Sequence, residues 1–197
     1  MFKWISNRNN GDEEGSGIEA ERRLMEIVSE LQGGSAEAFQ ILYNKYQMRV
    51  YSFCLRILAD ESAAKDAFQE TFIKVYEKRS SFRGDNFQAW LFTIARHTCY
   101  NIIRTRRDFD EYAENHQVDT KLNNVDHILK DHIEDAIASL PLLLREALVL
   151  REYDSYSYQE IADLLEIDLS LAKVRVHRAR ILLRKTLLPV AKEYNEN

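Results

Sequence analysis

The sequence predicts an all-α protein: two small helical domains joined by an acidic linker, the C-terminal one a helix-turn-helix. Three observations carry that prediction. Only 6 Gly and 2 Pro occur in 197 residues, too few for a sheet rich in tight turns. Apolar residues recur at three- and four-residue spacing through most of the chain. Charge is divided along it: residues 1–34 carry -3, 35–107 carry +5, 108–135 carry -7 and 136–197 carry none, for a net -5. The acidity therefore sits in a tail and a middle segment, between two stretches with helical periodicity.

Residues 1–17, ending in "NGDEEGSG", are polar and Gly-rich and read as a flexible tail. From Ile18 onward Leu24, Ile27, Val28 and Leu31 fall at helical spacing, and "GGS" at 33–35 stops that helix and starts the next. Ala38, Phe39, Leu42, Tyr43, Tyr46 and Val50 mark a long amphipathic helix. A third begins near Asp60 or Ser62 and runs to about Lys78; after the loop "SFRGDN", a fourth runs from about Phe87 to Arg106. The first domain thus spans 18–107.

The stretch "RDFDEYAENHQVDTKLNNVD" is acidic and poor in apolar residues, and predicts a linker over 108–129. It fits a solvated connector or an acidic segment that folds back over basic surface and competes with a polyanion. The second domain, 130–190, opens with Ile133, Ile137 and Leu140 on one face, followed by "LLLREALVLREY" and "SYQEIADLLEI"; 191–197 read as a tail.

Residues 169–185, "LSLAKVRVHRARILLRK", hold six Lys or Arg and no acid. Ahead of them lie a short helix with Ile161, Ala162, Leu164 and Leu165 and a break from Glu166 to Ser170. The small Ala162 allows the second helix to cross closely, as a helix-turn-helix requires. Leu171, Val174, Ile181, Leu182 and Leu183 are expected to be buried, with Lys173, Arg175, His177, Arg178 and Arg180 projecting elsewhere. Such a helix suits the DNA major groove, where Arg and Lys meet phosphates or guanine edges. A solvated amphipathic helix is the competing reading.

The first domain carries a second basic surface. On a helical wheel Phe87, Leu91, Ile94, Thr98 and Ile102 share a core face, leaving Arg96, His97, Tyr100, Asn101 and Arg104 on or beside another. With Trp90 and the Gly-containing loop Arg83, Gly84, Asp85, Asn86 and Phe87 next to it, this surface has what single-stranded nucleic acid needs: π-faces for bases and guanidiniums for phosphates. In "DAFQETFIKVY", Asp66, Gln69, Glu70 and Ile73 group on one side, opposite Ala64, Phe68, Thr71 and Val75. An apolar residue ringed by acids and an amide reads as a protein-docking patch.

No Gly-rich phosphate loop, zinc-ligand spacing or catalytic triad is visible, so the expectation is a non-enzyme without metal or cofactor. His127 and His132 are five residues apart, poor spacing for one helical face. Cys54 and Cys99 are too few for a disulfide framework and read as buried, inert thiols. "MFKWISNRNN" has no apolar run long enough for a signal peptide or a membrane span, so a cytoplasmic chain without membrane insertion is expected.

"AKDAFQETFIKVY", "FRGDNFQAWLFTIARHTCYNIIR" and "SYQEIADLLEIDLSLAKVRVHRARILLR", in that order, closely resemble the extracytoplasmic-function (ECF) group of bacterial RNA polymerase sigma factors. The resemblance covers about 35–107 and 130–188. It implies a sigma region 2-like domain and a region 4-like domain in a factor that joins core RNA polymerase, recognises promoter DNA, melts the -10 element and starts transcription. It places Asp66, Gln69, Glu70 and Phe72 in the segment that docks on the polymerase clamp. Arg83 to Phe87 and the helix from Trp90 to Arg104 match the reader of the melted -10 element, where a flipped base enters a pocket formed by the loop. Leu171 to Arg180 matches the helix that reads the -35 element in duplex DNA. An anti-sigma protein that blocks both domains is a further implied partner. A freestanding helix-turn-helix regulator is the alternative; it leaves the Asp66 to Ile73 face and the aromatic basic helix unexplained. The sequence departs from the group at His97, where Asn is common, and at Asn101, where Asp is common. It departs again at Glu166, where a turn Gly is usual, and at Leu171, Ala172 and Val174, which replace frequent Thr, Val and Ser.

Overall fold

The computed structural model describes the backbone of residues 10–110 and 125–195, and side chains within 19–106 and 131–190. Among them are eight α-helices and no strand: α1 (Asn10–Gln32), α2 (Ala36–Leu58), α3 (Glu61–Glu77), α4 (Phe87–Asp110), α5 (Val125–Ala138), α6 (Leu142–Glu152), α7 (Tyr158–Leu165) and α8 (Leu169–Asn195). α1 starts inside the stretch expected as a tail, and α5 inside the stretch expected as linker. The side chains of 1–17, of the acidic segment 108–129 and of 191–197 lie outside the described residues, as do the readings that rest on them.

Local chemistry sets the helix boundaries. The Ser35 hydroxyl accepts from the Ala38 N–H at 3.1 Å and Asp60 Oδ1 from the Ala63 N–H at 2.7 Å, each satisfying an orphan donor of the first turn. The Ala63 bond also holds the Asp60 carboxyl below its ordinary range. α7 opens with a reciprocal capping box between Ser157 and Glu160. α2 and α7 end on left-handed residues, Ala59 (φ 52°) and Glu166 (φ 55°), whose N–H groups turn back onto the preceding helix. Glu166 therefore adopts the turn geometry that a Gly would give without Cβ strain. α8 continues through Pro189, which has no N–H to return to the previous turn.

α2 is the centre of the N-terminal half, packed by α1, α3 and α4; α6 and α7 pack on α8 in the C-terminal half. Tyr46, Phe53, Phe87, Leu91 and Phe92 are fully buried in the first, Leu148, Leu150 and Tyr156 in the second. The two halves do not stand apart. α2 touches α5 and α6, α4 touches α7, and one continuous apolar cluster crosses the seam. There Phe92 meets Tyr156 edge to face at 5.6 Å and Phe53 at 5.4 Å. α4 thus buries more than the single face read from its sequence: Phe92, Ala95 and Cys99 are as inaccessible as Leu91.

The expected buried face of α8 is corrected. Leu171, Val174 and Ile181 are 41%, 41% and 54% exposed, and Leu182 is exposed too; Ala172, Val176 and Ala179 are buried instead, with Leu183 packed beside them. Small side chains at 172 and 179 let α8 lie close on α6 and α7, and close approach decides the face ahead of hydrophobicity. Ala162 is buried, as the close crossing requires.

Candidate nucleic-acid interface

On α3, Asp66, Gln69, Glu70 and Ile73 face solvent, with Ile73 52% exposed. They line one wall of a groove of about 500 Å³, and Asn101 and Arg106 of α4 line the other. Lys74 pairs with Glu70 at 3.1 Å within this surface. Phe72 differs from its neighbours: it is buried against Tyr43, with ring centroids 4.8 Å apart, and supports the surface from beneath.

The loop before α4 is exposed from Arg83 to Asn86 but firmly anchored. Phe82 is buried against Phe87 and Trp90, at 5.8 and 5.3 Å, and the Gln32 amide donates to its carbonyl at 2.9 Å. Arg83 folds back, donating to the Ser80 and Phe82 carbonyls at 2.6 and 2.8 Å. Gly84 has φ +118°, a region L side chains avoid, and nothing lies within 4 Å of where a Cβ would stand. Asn86 Oδ1 accepts from the Ala89 N–H at 2.9 Å and so starts α4; Asp85 stays free of that role.

Along α4, His97, Asn101 and Arg104 are exposed, and Trp90 is half-buried. Arg96 and Tyr100 are held by an acid from the other half of the molecule. Glu146 of α6, whose side chain is 0% exposed, accepts on Oε2 from Arg96 Nε at 2.9 Å and from the Tyr100 hydroxyl at 2.8 Å. On Oε1 it accepts from Arg175 Nη1 of α8 at 3.3 Å. The Arg96 guanidinium stacks 4.7 Å from the Tyr100 ring centroid. Burial and then the Glu146 charge push the Tyr100 hydroxyl up to about 12. Burial lowers the pKa of Arg96, but the hydrogen bond and charge of Glu146 together with Tyr100 outweigh it, and the net shift is upward. Removing one partner from a buried charge cluster of this kind costs about 3–5 kcal/mol.

Glu146 went unnoticed in the sequence because "LLLREALVLREY" reads as an apolar helix with its charges in solvent. The available signal was its position: Ala147, Leu148, Val149 and Leu150 follow it directly, so one charge had to share the buried side.

On α8, Lys173, His177 and Arg178 are exposed, and Lys173 and Arg178 form no ion pair among the described residues. Arg175 is mostly buried at Glu146, while Arg180 bonds Glu152 of α6 through Nε at 2.9 Å, which raises its pKa. Of the five candidate contacts on this helix, two are therefore held by acids.

Cys54 and Cys99 are free and buried side by side, and the hydrogen bond between them, with burial, pushes the Cys99 thiol up, away from the thiolate needed for reactivity. Among the described residues no three His, Cys, Asp or Glu side chains come together as a metal site, and no helix is long and apolar enough to cross a membrane.

An exposed acidic and apolar face beside two basic helices, one after an aromatic loop and one in a helix-turn-helix, fits the class of promoter-reading initiation factors. Comparison with known proteins agrees. Residues 42–109 match the Sigma-70 region 2 family and residues 130–183 match Sigma-70, region 4. The chain is 35% identical over 184 residues to the RNA polymerase sigma-H factor of Pseudomonas aeruginosa, covering 85% of this chain and 95% of that one. It is 35% identical over 170 residues to the ECF RNA polymerase sigma-E factor of Escherichia coli, covering 78% and 88%. Its fold resembles the sigma factor RpoE in complex with the anti-sigma factor NepR from Bartonella quintana, with a TM-score of 0.66, 25% identity and coverage of 77% and 98%. It also resembles CnrH in complex with the cytosolic domain of CnrY, with a TM-score of 0.65, 20% identity and coverage of 82% and 94%. The chain belongs to the ECF group of the sigma-70 family of RNA polymerase sigma factors. It binds core RNA polymerase and directs it to promoter DNA, as an initiation factor.

Proposed function

We propose that the three surfaces divide the work of promoter recognition. The α3 face of Asp66, Gln69, Glu70 and Ile73, backed by Phe72, docks on polymerase. The loop from Arg83 to Phe87, with Trp90, Arg96, His97, Tyr100, Asn101 and Arg104, reads and melts the -10 element. Lys173, Arg175, His177, Arg178 and Arg180 of α8 meet the -35 element as duplex. Residues 18–107 and 130–190 are the corresponding domains. The observation that carries this reading is Ile73: a large apolar side chain 52% exposed, ringed by Asp66, Gln69 and Glu70, outside a core that accepts every other apolar residue of its size on that helix except Tyr76. A freestanding repressor has no use for it. The chain does this in the cytoplasm, where polymerase and promoters are. An anti-sigma protein is its regulatory partner, supported by the likeness to RpoE in its NepR complex.

The test is run-off transcription with core polymerase, with and without this chain, on sheared DNA of its own host. New starts that share two spaced elements support the reading; no binding to core polymerase defeats it.

A further inference from the structure

Arg83, Gly84, Asp85 and Asn86 form an exposed loop between the buried rings of Phe82 and Phe87, just after the short 3-10 helix Arg79–Ser81. Among the described residues the side-chain hydrogen bonds of this loop are local: Arg83 reaches back to the Ser80 and Phe82 carbonyls, and Asn86 Oδ1 accepts from the Ala89 N–H. The exception comes from another element. Gln32 of α1, 50 residues away in sequence, donates through Nε2 to the Phe82 carbonyl at 2.9 Å. We propose that Gln32 is a positioning residue for -10 recognition: it fixes the loop in the form that receives an extruded base, and it keeps the Phe82 carbonyl bonded when Arg83 leaves it for the nucleic-acid backbone. The proposal rests on the assignment of this loop as the reader of the melted -10 strand.

Gln32 is placed to act as a fixed point. It stands in the last turn of α1, directly after Leu31, which is fully buried. The chain then turns at once into α2: the Gly34 N–H donates to the Leu31 carbonyl at 2.9 Å, the Ser35 N–H to the Glu30 carbonyl at 3.1 Å, and the Ser35 hydroxyl caps α2. Gly34 makes this corner with φ +93°, and the Arg79 guanidinium lies beside it, 3.6 Å from where a Cβ would stand. That guanidinium also donates to the Tyr76 carbonyl at 2.6 Å and lies 4.3 Å from the Tyr76 ring centroid. Two side chains therefore tie the entrance of the loop to the corner between α1 and α2: Arg79 ahead of it and Gln32 at Phe82.

The Phe82 carbonyl has two lone pairs, and it accepts from Gln32 at 2.9 Å and from Arg83 at 2.8 Å. A guanidinium that turns from its own loop to a phosphate gives up neutral carbonyls for a stronger, charge-assisted partner. With Gln32 in place that exchange leaves the Phe82 carbonyl bonded, and the backbone at the foot of the loop keeps its position. In the middle of the loop Gly84 has nothing within 4 Å of a Cβ position, so the space there is free for a base. Extruding a base from the stack is costly, and a loop already ordered adds no ordering entropy to that cost. Without the Gln32 bond, ordering of the loop and extrusion of the base fall in the same step.

The test uses holoenzyme assembled from core polymerase and the full chain, read by fluorescence anisotropy of labelled single strands. The strands carry the -10 element found by run-off transcription, with each base in turn replaced by an abasic site. Wild type should lose about tenfold in affinity at one position, the size of one stacked base. Gln32→Met keeps the length of the side chain and removes its donors. It should lose about threefold or less at that position, because the intact strand binds it more weakly while the abasic strand binds it as it binds wild type. Melting temperature and binding to core polymerase should stay at wild-type values, since Gln32 is partly exposed and lies outside the docking face. An undiminished abasic loss in Gln32→Met, whatever its absolute affinity, makes the residue merely structural and overturns the proposal. Where Gln32→Met does not melt cooperatively, Gln32→Glu decides by the same ratio, since it keeps the shape and trades the donating N–H groups for an acceptor. A chain that gives no starts, or a wild type indifferent to every abasic site, defeats the loop assignment and the proposal with it. A base-dependent wild type beside an equally base-dependent variant defeats the proposal alone.

Discussion

α3 and α4 are neighbours in the same half of the molecule, and they present their candidate contact side chains in opposite ways. The α3 face leaves Asp66, Gln69, Glu70 and Ile73 in solvent, whereas α4 has Arg96 and Tyr100 engaged with a buried acid. The two helices also pay for exposure differently. An exposed Ile73 forgoes the gain of burial, while Arg96 exchanges water for a charge-assisted contact with a buried carboxylate. The difference is one of access in the isolated chain: the α3 face stands open to solvent, while Arg96 and Tyr100 of α4 are held by Glu146, with His97, Asn101 and Arg104 exposed beside them.

Breaking the open surface should have the largest effect. Ile73→Asp is expected to weaken core polymerase binding by about 2–4 kcal/mol, the range for a central apolar anchor. Its melting temperature should stay near wild type, because the side chain is exposed. Asp66→Lys and Glu70→Lys should act in the same direction with smaller size. A pull-down that retains full polymerase with Ile73→Asp refutes the α3 assignment.

The covered side can be probed through Asp154, buried at the seam beside Arg49 at 3.5 Å. Burial pushes its carboxyl up to about 6, against the opposing pull of Arg49 and Arg56. Tyr156 and Gln88 are the other polar groups about it. The folded chain therefore holds this proton more tightly than the unfolded chain does. Its contribution favours the folded chain below the unfolded carboxyl pKa and is lost as pH rises from about 4 to about 6. The shift corresponds to roughly 2–3 kcal/mol. Melting curves of Asp154→Asn should lack that fall; a parallel profile in the variant contradicts the role of Asp154.

How the comparison was readable in advance depends on what each face required. The exposed face of α3 followed from helical spacing alone, because Ala64, Thr71 and Val75 are buried on one side and Ile73 lies on the other. The loop at Arg83 and the fold class followed from periodicity and turn residues. The engagement of Arg96 did not, since its partner lies fifty residues along the chain on a helix that reads as apolar, and only packing brings them together. α8 misled for a related reason: large apolar residues at 171, 174 and 181 suggest a buried stripe, but the alanines at 172 and 179 allow closer packing and take the core side. Sequence periodicity reports the faces a helix can bury; it does not report which face the neighbouring helix chooses.

Within α8 the same contrast separates two arginines one turn apart. Arg178→Ala should weaken duplex promoter contact by about 1–3 kcal/mol if it meets a base, with melting unchanged, because it is exposed and unpaired among the described residues. Arg175→Ala should weaken promoter contact comparably and also lower the melting temperature, because it strips a donor from Glu146. Equal melting of the two variants, measured by calorimetry, goes against the pairing of Arg175.

The smallest effect tests the turn between α7 and α8. Glu166 holds φ 55° and ψ 48°, a left-handed conformation that costs an L residue with a Cβ about 1–2 kcal/mol. Replacing it with Gly removes that strain and adds flexibility to the unfolded chain, worth about 0.5–1 kcal/mol in the opposite direction. The difference leaves Glu166→Gly more stable by about 0.5–1 kcal/mol, a rise of a few degrees at most in a domain this size. The side chain is exposed and makes no capping contact of its own, so its loss removes nothing else. Ala59→Gly, at the end of α2 with φ 52°, is the matched control in the other half and should gain by a similar amount. A turn that tightens the approach of α8 to α7 without changing Lys173 or Arg178 should leave promoter contact unchanged. If Glu166→Gly instead lowers stability, the Glu backbone is not strained there, and the left-handed turn is held by contacts beyond its own conformation.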